Sequence, residues 1–365
     1  MDKRDDFDFG NQFSEEFSKV RREIKRPNIL VMGATGAGKS SLVNLVFGQE
    51  MAAVGAGKPV TDGVHAYENQ LVRIYDSEGY ESGQEQQARF KARVVDFINR
   101  QENDLAARVH LVWYCISQAN HRVFDIDLDT IRAVASLKVP LAVVMTQADQ
   151  VSEADSAQML ATVRDSCPGV TIFEISTNPA VGLSVEPLIQ WAYDNLSEGL
   201  RIGFISASKK AIKLKRSESL KIVAQHSAAA AAMAASPIPF SDAPLLVSNQ
   251  MAMLARLASI WNLSGLQAVA GGSTTGMLMT QLGRTLAGNL VKLIPGVGSW
   301  VGGAVNATVA SALTGAMGYA ITEICAQILA DELSGGRVKE FSEYFSTEIM
   351  AELVKQAMRR GGTHA

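Results

Sequence analysis

The stretch NILVMGATGAGKSSLVN, residues 28–44, constrains the fold of this chain more than any other. Its apolar start predicts a buried strand, and the residues from Lys39 onward predict a helix. Between them, residues 33–40 fit the pattern G-x-x-x-x-G-K-S, in which glycines let successive backbone N–H groups point into one concavity. The N-terminus of the helix adds more N–H groups and a positive dipole end. The stretch therefore predicts a phosphate-binding loop.

Individual roles follow from this arrangement. Lys39 is expected to reach the β- and γ-phosphates of a nucleotide and to act in catalysis, and the Ser40 hydroxyl is expected to ligate Mg²⁺. The predicted nucleotide-binding residues of the loop are Gly33, Ala34, Thr35, Gly36, Ala37, Gly38, Lys39, Ser40 and Ser41.

Apolar runs alternate with helical stretches over residues 28–200. Strands are predicted within residues 69–79, 108–117, 139–149 and 170–176, with helix-like segments between them. Such alternation is typical of βαβ units. We therefore expect an α/β domain with a mostly parallel sheet that carries helices on both faces.

The chain has 365 residues, which is enough for two domains. Residues 1–27 are predicted to hold an amphipathic helix, at 11–26, in front of the α/β domain at 28–204. A basic link follows, and the Ala- and Gly-rich helical patterns beyond it contain no convincing strand. We therefore predict an all-α domain at 205–365.

Charge and cysteine content indicate which partners the protein could bind and in which cellular compartment it could act. The net charge is −3 and no RNA-binding motif is present, so nucleic acid is an unfavoured partner. The three cysteines are scattered, which favours reduced thiols. Residues 1–26 are charged throughout and lack the apolar core of a secretion signal. We expect a cytoplasmic protein, with peripheral or conditional membrane association as the alternative.

Two later segments are placed to complete a nucleotide and metal site. Thr61, in a predicted loop before the next strand, would complete the Mg²⁺ shell when a γ-phosphate is present. Asp76 ends a predicted strand and would hold the metal through water, and Gly79 would place its backbone N–H on the γ-phosphate. Thr61 and Gly79 therefore join Lys39 as predicted catalytic residues. The predicted metal ligands are Ser40, Thr61 and Asp76.

The segment VVMTQADQ, residues 143–150, predicts guanine recognition. Asp149 could accept hydrogen bonds from guanine N1–H and the N2 amine, whereas adenine lacks this donor pair and would leave the carboxylate unpaired. Thr146 and Gln147 precede it in the predicted base-binding turn. Ser176 and Thr177 follow another strand, where a backbone N–H can meet guanine O6.

Together these motifs resemble the signature of the Era-like, HSR1-related small GTPases of the P-loop translation-factor class, over residues 28–200. The resemblance implies a domain that binds GTP, GDP and Mg²⁺, hydrolyses GTP slowly and moves two switch loops between nucleotide states. Two positions depart from the family pattern. Gln147 replaces the lysine of the N/T-K-x-D motif, and Glu78 replaces the proline of the D-x-P-G motif. Guanine selectivity is expected to survive through Asp149, with lower affinity.

Tyr80 follows the D-x-x-G glycine, where Ras-type GTPases have a water-positioning glutamine. A tyrosine cannot present a carboxamide to water, so hydrolysis must rely on another group. The candidates are a switch backbone, a partner protein or a second copy of the chain in a homodimer. Arg122 is one residue that a second copy could donate, although a solvated loop arginine is its commoner interpretation.

Residues 293–322 contain no charged residue and are long enough to span a bilayer. Because small and weakly apolar residues dominate, we favour a buried hairpin of a helical bundle, with membrane insertion or docking as the alternative. Five cations of the basic link could meet an anionic membrane surface, although a solvated face is the commoner explanation for such a run. They are Lys209, Lys210, Lys213, Lys215 and Arg216.

The segment SPIPFSDAPLL, residues 236–246, resembles a turn of the bacterial Gly/Ala-rich helical domain of unknown function that accompanies GTPase domains. The order of a leading helix, a GTPase domain and further helices is similar to that of immunity-related and dynamin-like GTPases. We therefore predict a GTP-hydrolysing switch whose helical half engages an unidentified protein effector or a membrane. The alternatives are a ribosome-assembly GTPase and a structural protein that holds nucleotide with little turnover.

Overall fold

The structure, a computed structural model, describes residues 9–48, 58–61, 63–80, 84–235, 242–262 and 307–335, with short stretches between 339 and 357. The chain divides into two compact units, Ile24–Ala211 and Met1–Glu23 with Ile212–Ala365. We call them the α/β unit and the helical unit. The division follows Ala211, whereas the sequence analysis placed it after residue 204, and the first helix belongs to the helical unit instead of standing alone.

The α/β unit is built on one seven-stranded sheet. Its strands are β1 Asn28–Gly33, β2 Lys58–Thr61, β3 Val64–Glu68, β4 Arg73–Ser77, β5 Leu111–Ser117, β6 Leu141–Thr146 and β7 Thr171–Glu174. Their order is β2-β3-β4-β1-β5-β6-β7, and all pairs from β4 to β7 are parallel. The predicted mostly parallel α/β fold is confirmed, and each predicted strand region contains one parallel strand.

The prediction of a loop around Thr61 is wrong, because this stretch forms an antiparallel hairpin at the sheet edge. β2 pairs with β3, Thr61 lies opposite Val64, and β3 pairs with β4. Gly63 in the turn has a φ of 73°, a conformation that glycine adopts readily. The sequence carried the signal: Asp-Gly between two short alternating runs is typical of a two-residue hairpin turn.

The described helices are α1 Phe9–Glu23, α2 Lys39–Phe47, α3 Gln84–Gln101, α4 Asp125–Ala135, α5 Glu153–Ser166, α6 Glu186–Asn195, α7 Glu198–Ala207, α8 Ile212–Ala234, α9 Asp242–Ile260, α10 Ala307–Leu333 and α11 Phe341–Tyr344. Helices α2 to α7 belong to the α/β unit. On one face of the sheet, Leu30 and Met32 of β1 pack in a core with apolar residues of α3 and α4. On the other face, Phe47, Trp113 and Phe204 form ring contacts between α2, β5 and α7. The predicted helices on both faces of the sheet are confirmed.

The helical unit is a bundle around α8. Helices α9 and α10 pack along α8, and α1 packs on α9. A Cβ atom on Gly318 would lie 2.5 Å from the Val223 side chain, so α8 and α10 approach closely because this position is glycine. The indole of Trp261 donates a hydrogen bond to the Ser219 hydroxyl at 2.9 Å inside the bundle.

Two of the five cations proposed for membrane contact are used within this bundle. Lys215 is only 2 % exposed and lies 5.9 Å from the Trp261 ring. Arg216 forms an ion pair with Glu323 of α10 at 2.9 Å. The helical packing therefore buries Lys215 inside the bundle, whereas Arg216 pairs with Glu323 and keeps a partly exposed side chain.

Helix α10 is long and apolar enough to cross a membrane by length and composition, and 67 % of its most apolar stretch is buried inside the structure. It contains the last part of the predicted uncharged segment 293–322, of which residues 293–306 lie outside the described residues. Residues 236–241 of the SPIPFSDAPLL segment lie outside them as well.

Candidate functional site

Two glycines set the path of the predicted phosphate loop between β1 and α2. A Cβ atom on Gly33, whose φ is 140°, would lie 2.2 Å from the carbonyl oxygen of Cys115 on β5. Gly38, the N-cap of α2, has a φ of 78°, and a Cβ atom there would lie 3.1 Å from the Thr146 hydroxyl. The loop therefore lies directly on β5 and β6 and opens into the N-terminus of α2.

Lys39 curls back over this loop. Its Nζ donates hydrogen bonds to the carbonyl oxygens of Gly33 at 3.1 Å and Ala34 at 2.9 Å. Burial lowers the pKa of Lys39, and the nearby Asp76 charge acts in the opposite direction. Since an ammonium group has three donors, one remains for a phosphate oxygen.

Asp76 lies on β4, opposite Val31 of β1. Its Oδ1 atom is buried and has no hydrogen-bond partner among the described residues. Burial raises the pKa of this carboxyl group, and the charges of Lys39 and His65 partly offset the effect. An unpartnered buried carboxylate oxygen fits a cation, and one carboxylate together with waters and phosphate oxygens is the set that Mg²⁺ commonly takes.

The other two predicted metal ligands are placed less completely. Ser40 lies in the first turn of α2 with an exposed side chain, next to the loop. Thr61 ends β2, where its backbone pairs with Val64, and its side chain is outside the described part of the structure. Ligation of Mg²⁺ by Ser40 and Thr61 stays a prediction.

Gly79 lies directly on the phosphate loop. A Cβ atom there would lie 2.3 Å from the backbone nitrogen of Thr35 and 2.5 Å from its hydroxyl oxygen. The Thr35 N–H donates to the carbonyl oxygen of Tyr80 at 3.3 Å. The structure therefore brings together the two segments that the sequence assigned to the γ-phosphate.

Glu78, which replaces the proline of the family pattern, fixes this segment against the hairpin. Its N–H donates to the Gly63 carbonyl oxygen at 2.8 Å. Its carboxylate forms an ion pair with Arg93 at 3.6 Å and lies 3.4 Å from Nε2 of His65. The glutamate thus joins β3, β4 and α3, a role that a proline could not fill.

The predicted base-binding turn after β6 is tied to the phosphate loop. The Thr146 hydroxyl, which is buried, donates to the carbonyl oxygen of Ala37 at 2.8 Å. Gln147 has a φ of 55°, and its side-chain oxygen accepts a hydrogen bond from the Ser117 hydroxyl. Both residues therefore hold the turn in place from β5 and the loop.

Asp149 is held by Ser176. The Ser176 hydroxyl donates to the Asp149 carboxylate at 2.6 Å and accepts the Asn178 N–H at 2.9 Å. Asp149 is exposed, so the carboxylate faces the solvent at the edge where the parallel strands end. Thr177 is exposed beside it. The structure therefore places these predicted base-site residues together at the carboxyl ends of β6 and β7.

Sequence reasoning missed three supporting contacts. The Cys115 carbonyl against Gly33, the Thr146 tether to Ala37 and the Ser117 contact with Gln147 each join segments that are distant along the chain. The one signal in the sequence for the Thr146 and Ser117 contacts is a hydroxyl residue at the end of an apolar run.

Comparison with known proteins agrees with this geometry. Residues 28–147 match a family model described as 50S ribosome-binding GTPase. The probable GTP-binding protein EngB of Flavobacterium psychrophilum is 24 % identical over 143 residues, which cover 38 % of this chain and 67 % of that protein. The α/β unit therefore has a P-loop GTPase fold, and the family match supports GTP binding.

Two solved structures are similar to part of this chain at low sequence identity. The crystal structure of a probable GTP-binding protein engB shares 17 % identity with a TM-score of 0.35, over 46 % of this chain and 97 % of that one. A bacterial selenocysteine-specific elongation factor, EF-Sec, shares 15 % identity with a TM-score of 0.32, over 47 % of this chain. This chain spans only 29 % of the length of that factor.

Proposed function

We propose that this protein binds GTP and GDP, hydrolyses GTP with Mg²⁺, and acts as a nucleotide switch. The main support for the proposal is that the phosphate loop and the turn assigned to the base are held next to each other by hydrogen bonds. Thr146 fixes the phosphate loop through Ala37, and Asp149, three residues later, is aimed by Ser176. A loop for phosphates and a carboxylate for guanine therefore lie on one edge of the sheet.

Different residues of the chain are assigned to phosphate binding and to metal binding. The backbone N–H groups of the loop and of the first turn of α2 bind phosphate oxygens, and Lys39 supplies a positive charge at the β- and γ-phosphates. Asp76 would hold the metal, directly or through water, with Ser40 and Thr61 as further ligands. When bound, Mg²⁺ neutralises charge on the β- and γ-phosphate oxygens.

Intrinsic hydrolysis is expected to be slow. The Tyr80 side chain is buried, at 8 % exposure, so it does not lie free to orient a water molecule. A group supplied in trans by an activating partner is worth about 10³–10⁵ in rate. We therefore expect specific activity to rise with protein concentration if a second copy supplies this group, and to stay flat if a different partner does.

Equilibrium binding tests the proposal. Fluorescent GDP, a non-hydrolysable GTP analogue and ATP are titrated into the full chain, with Lys39→Ala as the test variant and Lys91→Ala, on α3, as the matched control. Tight binding of both guanine nucleotides, weak binding of ATP and loss of triphosphate binding in Lys39→Ala alone are expected. Equal affinity for ATP and GTP would contradict the guanine assignment.

A ribosome-assembly role is the second candidate function. It is favoured by one finding, the match of residues 28–147 to a family described as 50S ribosome-binding GTPases. Sedimentation with purified 50S subunits, in the presence of the GTP analogue and of GDP, tests it. Co-sedimentation that depends on the nucleotide would support this candidate, and none in either state would contradict it.

The helical unit is proposed to engage a protein effector or an anionic membrane. The apolar length of α10 supports membrane contact, whereas its 67 % burial and the burial of Lys215 support a packed helical bundle that would meet a protein effector. Flotation with anionic vesicles, in GTP analogue and in GDP, separates the two. Failure to float in either state would leave the protein effector as the partner.

A further inference from the structure

A buried network lies beneath the segment that contacts the phosphate loop. The Tyr80 hydroxyl donates to Oδ1 of Asp127 at 2.6 Å, and the Tyr114 hydroxyl donates to the same oxygen at 2.8 Å. Oδ2 of Asp127 accepts the Phe124 N–H at 3.1 Å. Asp127 is only 2 % exposed, so both carboxylate oxygens form their hydrogen bonds inside the protein and are shielded from water.

The local sequence explains why a carboxylate can be buried here. Asp127 occupies the third position of α4, where a carboxylate caps the backbone and meets the positive end of the helix dipole. Burial raises the pKa of Asp127, while its hydrogen bonds to Tyr80, Tyr114 and Phe124 lower it. The tyrosine hydroxyls thus replace the water that the carboxylate has lost.

Tyr80 connects this network to the nucleotide site. Its ring packs against Phe90 of α3, with centroids 5.3 Å apart. Its carbonyl oxygen accepts the N–H of Thr35 in the phosphate loop, and the preceding residue, Gly79, is in direct contact with Thr35. One residue therefore carries a buried side-chain anchor and a main-chain contact with the loop.

We propose that Asp127 is a positioning residue that acts through Tyr80 to hold the D-S-E-G segment on the phosphate loop, and so favours the diphosphate over the triphosphate state. The inference rests on the proposed function. A carbonyl oxygen and a γ-phosphate oxygen are both acceptors, so they compete for the N–H groups of the loop. A γ-phosphate that takes the Thr35 N–H must displace the Tyr80 carbonyl oxygen, and the anchor of Tyr80 on α4 opposes that shift.

The hydrogen bond from Tyr80 to Asp127 also couples the D-S-E-G segment, residues 76–79, to α4. Because the Tyr80 hydroxyl is bonded to Asp127 at the start of this helix, movement of the segment must either break that bond or move the helix end. This gives the protein a route from the γ-phosphate position to its surface at α4.

The test compares affinities for two probes, fluorescent GDP and the non-hydrolysable analogue GppNHp, in the full-length protein. Tyr80→Phe removes the hydroxyl and keeps the ring packing on Phe90. Asp127→Asn keeps an acceptor but removes the charge. The matched control is Tyr75→Phe, which removes a buried hydroxyl whose acceptor, the Ala107 carbonyl at 2.8 Å, belongs neither to the D-S-E-G segment nor to α4. Thermal unfolding of each variant measures general loss of stability.

In Tyr80→Phe, the ratio of the GppNHp Kd to the GDP Kd is expected to fall about tenfold, since a hydrogen bond to a charged acceptor no longer holds the segment. A smaller fall is expected in Asp127→Asn and none in Tyr75→Phe. A Tyr80→Phe ratio equal to that of the wild type, with GDP still bound, would overturn the inference and leave the proposed function intact. Wild-type protein that binds neither probe would overturn both.

Discussion

In the proposed site Ser176 holds Asp149, the residue assigned to guanine, so Ser176→Ala is expected to weaken guanine binding selectively. The substitution removes the hydroxyl that donates to Asp149 at 2.6 Å and accepts the Asn178 N–H. A hydrogen bond to a charged acceptor contributes about 1.5–3 kcal/mol. Because Asp149 is exposed and can regain water in the free protein, we expect the lower end, close to a tenfold rise in the GDP Kd.

Titration calorimetry with GDP and ADP measures this effect. The control is Ser152→Ala, three residues after Asp149, which removes a comparable serine hydroxyl that donates to Asp155 at 2.9 Å and not to Asp149. Ser152 also caps α5, so its loss lowers the free energy of unfolding by about 1 kcal/mol without changing GDP affinity. Equal GDP affinity in Ser176→Ala and wild type would refute the positioning of Asp149 by Ser176.

Three further predictions concern the phosphate loop, the metal and pH. Gly33→Ala places a Cβ atom 2.2 Å from the Cys115 carbonyl and should lower the free energy of unfolding by about 3 kcal/mol or more in urea, and an unchanged midpoint would contradict that contact. Asp76→Asn should flatten the Mg²⁺ dependence of GTP-analogue affinity, and an unaltered dependence would remove Asp76 from the metal site. Burial lowers the pKa of His110 from 6.5 to about 4, so the folded state binds fewer protons than the unfolded state between these pH values. The free energy of unfolding should therefore fall as the pH drops from about 6.5 to about 4. His110→Gln should reduce the dependence of the unfolding free energy on pH in this range, and an unchanged dependence would contradict the prediction.

The fold and the order of site motifs were predictable because they rest on local patterns. The apolar run of β1, the glycines and Lys39 specify a strand, a turn and a helix, and the same logic located β4 to β7. The β2–β3 hairpin was missed although Asp62-Gly63 indicates it, because the stretch was interpreted by its distance from the loop and not by its alternation.

The contacts that arrange the site were beyond sequence reasoning, since they join distant residues. The Thr146 hydroxyl stands at the end of an apolar strand, but nothing local names the Ala37 carbonyl as its acceptor. Nothing local indicates that Tyr80 reaches Asp127 across 47 positions. Sequence reasoning described Tyr80 only as a missing glutamine, whereas the structure shows a buried anchor. Likewise Lys215 belonged to a basic run by composition, but helical packing turns it against Trp261.

The proposed selection of guanine by Asp149 is tested most directly by a base-swap measurement. An asparagine at this position would offer one acceptor and one donor, which match the N1–H and the C2 carbonyl of xanthine instead of the two donors of guanine. We predict that Asp149→Asn raises the GDP Kd about a hundredfold and makes xanthosine diphosphate the preferred ligand, with wild type showing the reverse order. Unchanged preference for GDP in Asp149→Asn would contradict the claim.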